Sequence, residues 1–214
     1  KLISTLDVLS GGRVILGAGG GWMEEEFQAL GLDTYAQRGA VTDEYIQLFK
    51  ELWTKDNPEF HGEHYQLSES GFQPKPVQKP HPPIWIGGHT NPAIRRAAKY
   101  GDGWMPIGLR PPAILEPEEL AEKIARLRRL TVRAGRPEDA VSLCFSTGVT
   151  FDNSPGATRR MMSGRAEQIA ADLRQYQDLG VRNFILGFPG DSVAALDEAM
   201  EQFSKQVMPL IPQD

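Results

Sequence analysis

The sequence predicts an α/β fold in which a parallel sheet is flanked by helices, and two observations lead to this prediction. Five short runs of consecutive apolar residues occur along the chain, at residues 13–17, 83–87, 103–107, 143–149 and 183–187. Continuous rather than alternating hydrophobicity is typical of strands that are buried on both faces. The helical patterns between these runs each have an apolar stripe and a charged back, as expected for helices that cover a sheet.

Four segments have the apolar spacing of amphipathic helices, and they lie at residues 42–53, 116–134, 163–179 and 191–207. Thr42 is the predicted N-cap of the first of them. Gly135 and Gly180 follow the second and third, where a left-handed residue commonly ends a helix.

One segment, residues 57–82, departs from this alternation of strand and helix. It is rich in Pro, Gly, Gln and Lys, and residues 60–67 have the pattern of a small hairpin. Excursions of this length are usually functional or interfacial. Apart from this insertion-like excursion, we expect residues 1–214 to form a single domain.

Composition and charge exclude several classes of protein. The formal net charge of -5 over 214 residues lacks the basic surface that nucleic-acid binding requires, so we expect no nucleic-acid partner. No run approaches the roughly 18 apolar residues of a membrane span. The single cysteine, Cys144, lies in an apolar run and is predicted to be buried and inert, which fits a cytoplasmic location.

A doubly wound dinucleotide-binding fold is the alternative to a barrel. It requires a Gly-x-Gly-x-x-Gly turn after the first strand. Gly17 and Gly19 match this turn, but Trp22 stands where the third glycine belongs. The sequence therefore favours a barrel.

Barrels of this class need eight strands and roughly 250 residues. Only five strands are predicted here, and residues 2–12 already resemble a helix that ends in glycine, with Leu2, Leu6 and Leu9 on one face. We therefore expect about three strand-helix units to be missing before this helix.

The chain contains six motifs in a fixed order: residues 6–19, Gly21-Trp22 with residues 25–27, Arg38-Gly39 before Asp43-Glu44, residues 72–76, residues 82–88, and residues 101–104. As an ordered set they resemble the luciferase-like monooxygenase superfamily, in particular its deazaflavin-linked oxidoreductase branch. The resemblance covers nearly the whole chain.

The resemblance implies a (β/α)8 TIM barrel of the bacterial luciferase type, here incomplete and represented by strands four to eight. It implies an oxidoreductase that transfers a hydride between a substrate carbon and coenzyme F420, acting on a small organic molecule as a homodimer. An FMN-dependent monooxygenase that uses oxygen is one alternative, and a non-catalytic flavin-binding protein is another. The missing units supply much of the ring-binding surface in this family, so no catalytic residue is assigned.

The first predicted cofactor-binding segment follows the strand at residues 84–86 and consists of Gly87, Gly88, His89, Thr90 and Asn91. Asn91 is the predicted N-cap of the next helix, with Pro92 at its first position. Free N–H groups at a helix N-terminus favour a phosphate, which glycines allow to approach closely, and the resemblance implies that the cofactor phosphate binds here. The alternative is that the two glycines only make a tight turn. His89 would contact phosphate or act as an acid or base.

The second predicted cofactor-binding segment follows the first strand and consists of Gly19, Gly20, Gly21 and Trp22. Its bare backbone would lie against the cofactor, and Trp22 would be either a wall of the pocket or part of the core. In bacterial luciferase a basic residue of this loop contacts the flavin phosphate, whereas Gly20 is uncharged here. This departure favours F420 over FMN.

Several other polar residues have more ordinary interpretations. The acidic residues 24–26 are predicted to form a favourable first helical turn. Asp102 is predicted to hold a turn, and Arg165 would be near an anionic tail or solvated. Surface positions are predicted for the three histidines of the excursion, which are His61, His64 and His81. No group of residues has ligand spacing suited to zinc, so no metal is predicted.

Overall fold

The computed structural model describes residues 1–68, 70–108, 114–152 and 159–211. Backbone proximity divides the chain into two compact units, residues 1–104 with 130–141 and residues 105–129 with 142–214. All five predicted strands are present in the described chain, and all four predicted helices are present with shifted ends.

The first unit alternates helices and strands. Its elements are α1 (Leu2–Ser10), β1 (Leu16–Ala18), α2 (Glu24–Ala29), a 3-10 turn (Tyr35–Gln37), α3 (Arg38–Thr54), β2 (Phe60–His61), β3 (Gln66–Leu67), β4 (Ile84–Gly87), α4 (Asn91–Tyr100) and β5 (Gly103–Met105).

Strands β1, β4 and β5 lie side by side in that order. β1 and β4 are parallel, with Ala18 opposite Ile86. The core of this unit includes fully buried side chains of β4, α4 and β5, which are Ile84, Ile86, Ile94, Ala97 and Trp104. These residues fix β4 between its neighbours and place the start of α4 directly after it.

The predicted N-cap at Thr42 is wrong. α3 begins four residues earlier, at Arg38, directly after the 3-10 turn. Thr42 lies inside the helix, and its hydroxyl donates to the carbonyl of Arg38 over 2.6 Å. The preceding 3-10 turn leads straight into the helix, so no capping side chain is needed to start it.

Helix α1 ends as predicted at a left-handed glycine, Gly11, with φ 66°. Its predicted apolar face, however, is exposed in the described chain, with Leu2 72% and Leu9 78% exposed. The buried face contains Asp7, whose carboxylate accepts hydrogen bonds from the backbone N–H of Gln78 at 3.0 Å and from its side-chain amide at 2.7 Å. Polar contacts with the excursion therefore hold this helix.

The hairpin predicted in the excursion is confirmed, since β2 and β3 pair antiparallel. Helix α3 holds its turn through Glu44, whose carboxylate accepts three backbone N–H groups, those of Glu63 at 2.7 Å, His64 at 2.9 Å and Tyr65 at 3.0 Å. The ring of Tyr65 also packs on that of Tyr45, with 4.4 Å between centroids.

Docking of this hairpin turn is expected to depend on pH. Partial desolvation acts to raise the pKa of Glu44, but the three N–H donors outweigh it and hold this pKa below its ordinary value of 4.5. A carboxylate with a lowered pKa stabilises the folded contact above its ordinary pKa, and this stabilisation is lost as the pH falls through the lowered value. Amide exchange at residues 63–65, normalised to intrinsic rates, should therefore accelerate only below pH 4.5.

The matched control for this prediction is Glu44→Gln, which keeps one acceptor oxygen but cannot ionise. In that variant the three amides should exchange faster than in the wild type at neutral pH, and their protection should not change between pH 6 and pH 4. Equal protection in the two proteins at neutral pH would contradict the prediction.

The second unit contains the remaining strands and helices. Its elements are most of α5 (Pro117–Arg133), β6 (Ser142–Gly148), β7 (Thr150–Phe151), β8 (Ser163–Gly164), α6 (Ala166–Asp178), β9 (Asn183–Gly187), α7 (Val193–Gln206) and a 3-10 turn (Met208–Leu210).

β6 and β9 are parallel over five residue pairs, from Cys144 opposite Asn183 to Gly148 opposite Gly187. The predicted start of the third helix at residue 163 is wrong. Ser163 and Gly164 instead pair with β7, so α6 begins at Ala166. The local apolar pattern could not reveal this pairing, because it depends on a strand earlier in the chain.

Cys144 is buried as predicted, and burial raises the pKa of its thiol to about 11.

The prediction that every strand is buried on both faces is wrong for β9. Phe184 and Leu186 pack against the core formed by α6 and α7, whereas Ile185, on the other face, is 47% exposed in the described chain. One face of β9 has no covering layer there.

Candidate functional site

The two segments predicted to bind the cofactor lie next to each other. β1 and β4 are parallel neighbours, so the chain leaves both strands at the same edge of the sheet. A Cβ atom added to Gly87 would lie 3.6 Å from the carbonyl oxygen of Ala18. The structure therefore brings the loop at residues 19–22 beside residues 87–91, which we call the β4–α4 turn.

The two glycines of the β4–α4 turn have different roles. Gly88 has φ +95°, a conformation that other residues rarely adopt. Gly87 has an ordinary backbone conformation, and an added methyl group would make only normal contact with its neighbours. Packing within the described chain therefore does not require glycine at position 87, whereas close approach of a ligand would.

The predicted N-cap at Asn91 is wrong by one residue, because Thr90 caps the helix. Thr90 has extended backbone angles, its hydroxyl accepts the N–H of Ala93 at 3.5 Å, and its carbonyl accepts the N–H of Ile94 at 3.0 Å. Asn91 is therefore the first helical residue and Pro92 the second. In the part of the chain that the structure describes, the N–H groups of His89, Thr90 and Asn91 are left without a backbone partner.

A contact that the sequence did not predict fixes the orientation of the β4–α4 turn. The indole N–H of Trp104 donates to the carbonyl oxygen of Gly88 over 2.7 Å, and Trp104 is only 1% exposed. The residues are 16 positions apart, one directly after β4 and the other in the middle of β5. No local pattern indicates this bond, although a buried tryptophan usually has an acceptor for its N–H group.

Helix α4 is anchored to the rest of its unit near its middle and at its C-terminal end. Near its middle, the buried guanidinium of Arg96 donates to the carboxylate of Asp43 and to the carbonyl of Gly39. At its C-terminus, Arg136 donates to the carbonyls of Ala98 at 2.9 Å and Gly101 at 2.8 Å. Arg136 thus satisfies the negative pole of the helix, and the positive pole lies at the β4–α4 turn.

Asp102 holds a turn, as predicted. Its carboxylate accepts the N–H of Ile84 at 2.9 Å, and its own N–H donates to the carbonyl of Ile84 at 2.8 Å. These two bonds join the start of β4 to the residue before β5 and so contribute to the register on which the site depends.

In the loop at residues 19–22, packing explains why one position is occupied by glycine but does not explain another. Gly21 has φ +75°, and an added Cβ would lie 2.7 Å from the ring of Phe27. Gly19 has nothing within 4 Å of an added Cβ, so its bare backbone faces open space. A Cβ at Gly20 would lie 3.5 Å from the hydroxyl of Thr42.

Trp22 is not a core residue, since it is 75% exposed in the described chain. Its carbonyl accepts the hydroxyl of Tyr35 at 3.0 Å, which fixes the backbone and leaves the indole free of the core. The core interpretation of Trp22 is therefore wrong, and its role as a pocket wall stays a prediction. The acidic residues 24–26 form the first turn of α2, as predicted.

His89 is partly buried beside the free N–H groups of the β4–α4 turn, and its role there stays a prediction. Arg165 is exposed at the start of α6, as its solvated interpretation requires. The surface prediction is wrong for His81, whose side chain is only 7% exposed and packs near the ring of Trp53. His61 is exposed and bonded to Glu59.

Among the residues that the structure describes, no group of three or more His, Cys, Asp or Glu side chains could hold a metal ion. Over the same residues, no helix has both the length and the apolar character needed to cross a bilayer.

The site therefore consists of bare backbone and helix N–H groups rather than of ionisable side chains. Such an arrangement can bind the anionic group of a ligand and allow its adjoining part to lie against the strand ends. The class that fold and site define is an α/β protein with a glycine-containing turn and a helix N-terminus at the carboxyl ends of parallel strands.

The model of the luciferase-like monooxygenase family matches residues 1–166, so the chain belongs to this family. An uncharacterised protein of Mycobacterium bovis is 33% identical over 189 residues, which cover 88% of this chain and 56% of that protein. The chain thus spans little more than half the length of this curated relative. The FMNH2-dependent dimethylsulfone monooxygenase of Pseudomonas putida is 34% identical over 110 residues, or 50% of this chain and 30% of that protein.

The fold agrees with this assignment. An F420-dependent secondary alcohol dehydrogenase, solved in complex with an F420–acetone adduct, superposes with a TM-score of 0.80 at 18% identity. The match covers 99% of this chain and 73% of the dehydrogenase. The predicted fold class, an α/β barrel of the luciferase-like type, is therefore confirmed.

Proposed function

We propose that this chain is the phosphate-binding part of an oxidoreductase that uses coenzyme F420 and that transfers a hydride to or from a carbon of a small organic substrate. The observation that supports this most directly is the β4–α4 turn, where a glycine with φ +95° precedes a capped helix whose first N–H groups have no backbone partner among the described residues. This turn would bind the phosphate of the cofactor.

The residues present fit such a group. The N–H groups of His89, Thr90 and Asn91 are donors, the dipole of the ten-residue α4 adds positive potential, and Gly87 gives room for close approach. Gly19, on the neighbouring loop, exposes backbone without a side chain, against which the tail between phosphate and ring would lie. The bound cofactor would supply the redox chemistry, and the protein would bind and orient it and exclude water.

The choice of F420 over FMN rests on Gly20. The loop at residues 19–22 contains no cationic side chain that could contact the phosphate. The atoms nearest to a Cβ added at Gly20 are the hydroxyl of Thr42 and the carbonyl of Arg38, and neither carries positive charge. The similarity to an FMNH2-dependent monooxygenase supports FMN as the second candidate, with oxygen as co-substrate. Homodimerisation and a cytoplasmic location are part of the same proposal.

Equilibrium titration would test the proposal. The purified protein is titrated with F420, with the deazaflavin chromophore lacking the phosphate-bearing tail, with FMN and with riboflavin, and binding is followed by the fluorescence of each chromophore. We expect each phosphate-bearing cofactor to bind at least tenfold more tightly than its phosphate-free partner, and F420 to bind more tightly than FMN. Equal binding within both pairs would refute the proposed phosphate site.

Turnover distinguishes the remaining alternatives. Reduction of F420 by a panel of secondary alcohols supports the proposed reaction, whereas oxygen consumption with reduced FMN supports the monooxygenase. Tight binding of a cofactor without turnover in either assay would support a non-catalytic flavin-binding protein instead.

A further inference from the structure

We propose that Trp104 is a positioning residue for the cofactor phosphate: its indole N–H holds the carbonyl of Gly88 and thereby directs the N–H of His89 toward the bound phosphate. This inference rests on the proposed function, because it assigns a role within the same phosphate site. It adds a residue that does not itself contact the cofactor.

The argument begins with the geometry of one peptide group. The carbonyl of Gly88 and the N–H of His89 belong to the same planar trans peptide unit, so they point in opposite directions. The carbonyl is directed to the buried indole of Trp104, at 2.7 Å. The N–H of His89 must therefore point away from the core of the unit.

The conformation of Gly88 makes this peptide group easy to misorient. The orientation of this peptide group depends on ψ of Gly88 and φ of His89, and glycine, which has no Cβ atom, places little restriction on its own torsion angles. Rotation of the peptide group would direct a carbonyl, rather than an N–H, at the phosphate. The bond from Trp104 is the contact in the described chain that opposes this rotation, because it needs the carbonyl on the buried side.

The position of Trp104 suits this role. The residue is 1% exposed in the middle of β5, so its indole N–H cannot exchange the carbonyl of Gly88 for water without leaving the core. A buried indole N–H without an acceptor is unfavourable, and this preference holds the peptide group in one orientation.

The first test is Trp104→Phe, which keeps a buried aromatic ring and removes the donor. We expect the ratio of riboflavin to FMN dissociation constants, and the corresponding ratio for the deazaflavin pair, to fall about tenfold. Binding of the phosphate-free compounds should stay within about twofold of wild type. A purely structural role would weaken both members of each pair equally.

Trp53→Phe is the matched control. Trp53 is also buried, at 3% exposure, in the same unit, but it packs against Phe49 and His81. We expect this variant to retain the wild-type ratios. If Trp104→Phe retains them too, while the wild type shows a clear preference for phosphate, the positioning role is refuted and the proposed function stands.

A second measurement covers the case in which Trp104→Phe does not fold. Hydrogen exchange of the indole N–H groups in the wild-type protein should show strong protection of Trp104 and none of Trp22, which is 75% exposed. Replacement of Trp104 by its benzothiophene analogue, which has the same shape without the donor, should reproduce the loss of phosphate preference. Rapid exchange at Trp104 would overturn the inference alone, whereas protection at Trp104 with no phosphate preference in the wild type would refute the proposed function and, with it, the inference.

Discussion

Replacement of Gly88 by aspartate is expected to abolish phosphate-dependent cofactor binding, with a loss of affinity on the order of 100-fold or more, equivalent to about 2.7 kcal/mol. Two effects act together. The side chain forces φ away from +95°, which misdirects the carbonyl bound by Trp104 and the N–H of His89. The added carboxylate also places a negative charge where the phosphate should lie, at the positive end of α4. Titration with F420 and FMN measures the loss.

Gly135→Asp is the matched control for this prediction. Gly135 also has positive φ, at +75°, and has nothing within 4 Å of an added Cβ. Aspartate at this position therefore causes a comparable backbone strain, of about 1–2 kcal/mol, at a place away from the β4–α4 turn. We expect both variants to be less stable than the wild type and only Gly88→Asp to lose cofactor. Unchanged affinity in a folded Gly88→Asp protein would rule out the β4–α4 turn as the phosphate site.

The second large effect is expected at Asp172, where replacement by alanine should lower the free energy of unfolding by about 3 kcal/mol. Asp172 is 1% exposed in α6, and its two carboxylate oxygens accept the two terminal guanidinium nitrogens of Arg159 at 2.6 and 2.7 Å. One of these oxygens also accepts the N–H of the buried Met162 at 2.6 Å. Alanine leaves the N–H without a partner and the guanidinium without its counter-ion.

The estimate lies at the low end for buried ion pairs because the side chain of Arg159 is 36% exposed and can be partly solvated when its partner is lost. Urea denaturation followed by circular dichroism would measure the change. Asp172→Asn, which keeps an acceptor for Met162 but removes the charge, should have a smaller effect. Glu201→Ala breaks an exposed ion pair with Lys205 and should leave stability almost unchanged. Equal stabilities of the Asp172→Ala and Glu201→Ala variants would contradict the prediction.

Patterns that act over one turn or one strand were sufficient to predict most elements of the fold. The apolar run at residues 83–87 predicted β4, and Gly135 and Gly180 were correctly placed after helices, where both have positive φ. The hairpin at residues 60–67 was also correct. These features depend on the period of the apolar side chains and on the conformational freedom of glycine, which are properties of short segments.

Helix starts were less predictable, for a physical reason. Thr42 and Asn91 are both residue types that commonly cap helices. A preceding 3-10 turn nevertheless starts α3, and Thr90 caps α4. Residue 163 begins a short strand because β7 is available to pair with it. In each case the competing structure depends on neighbours that a local pattern does not include.

The sequence alone determined the α/β class, the glycine turn after β4 and its candidacy as a phosphate site. Only the tertiary structure decided that the loop at residues 19–22 lies beside this turn and that the indole N–H of Trp104 donates to the carbonyl of Gly88. Strand pairing and a hydrogen bond between residues 16 positions apart create these contacts. Such contacts are absent from the local sequence because they exist only once the chain has brought separate strands together.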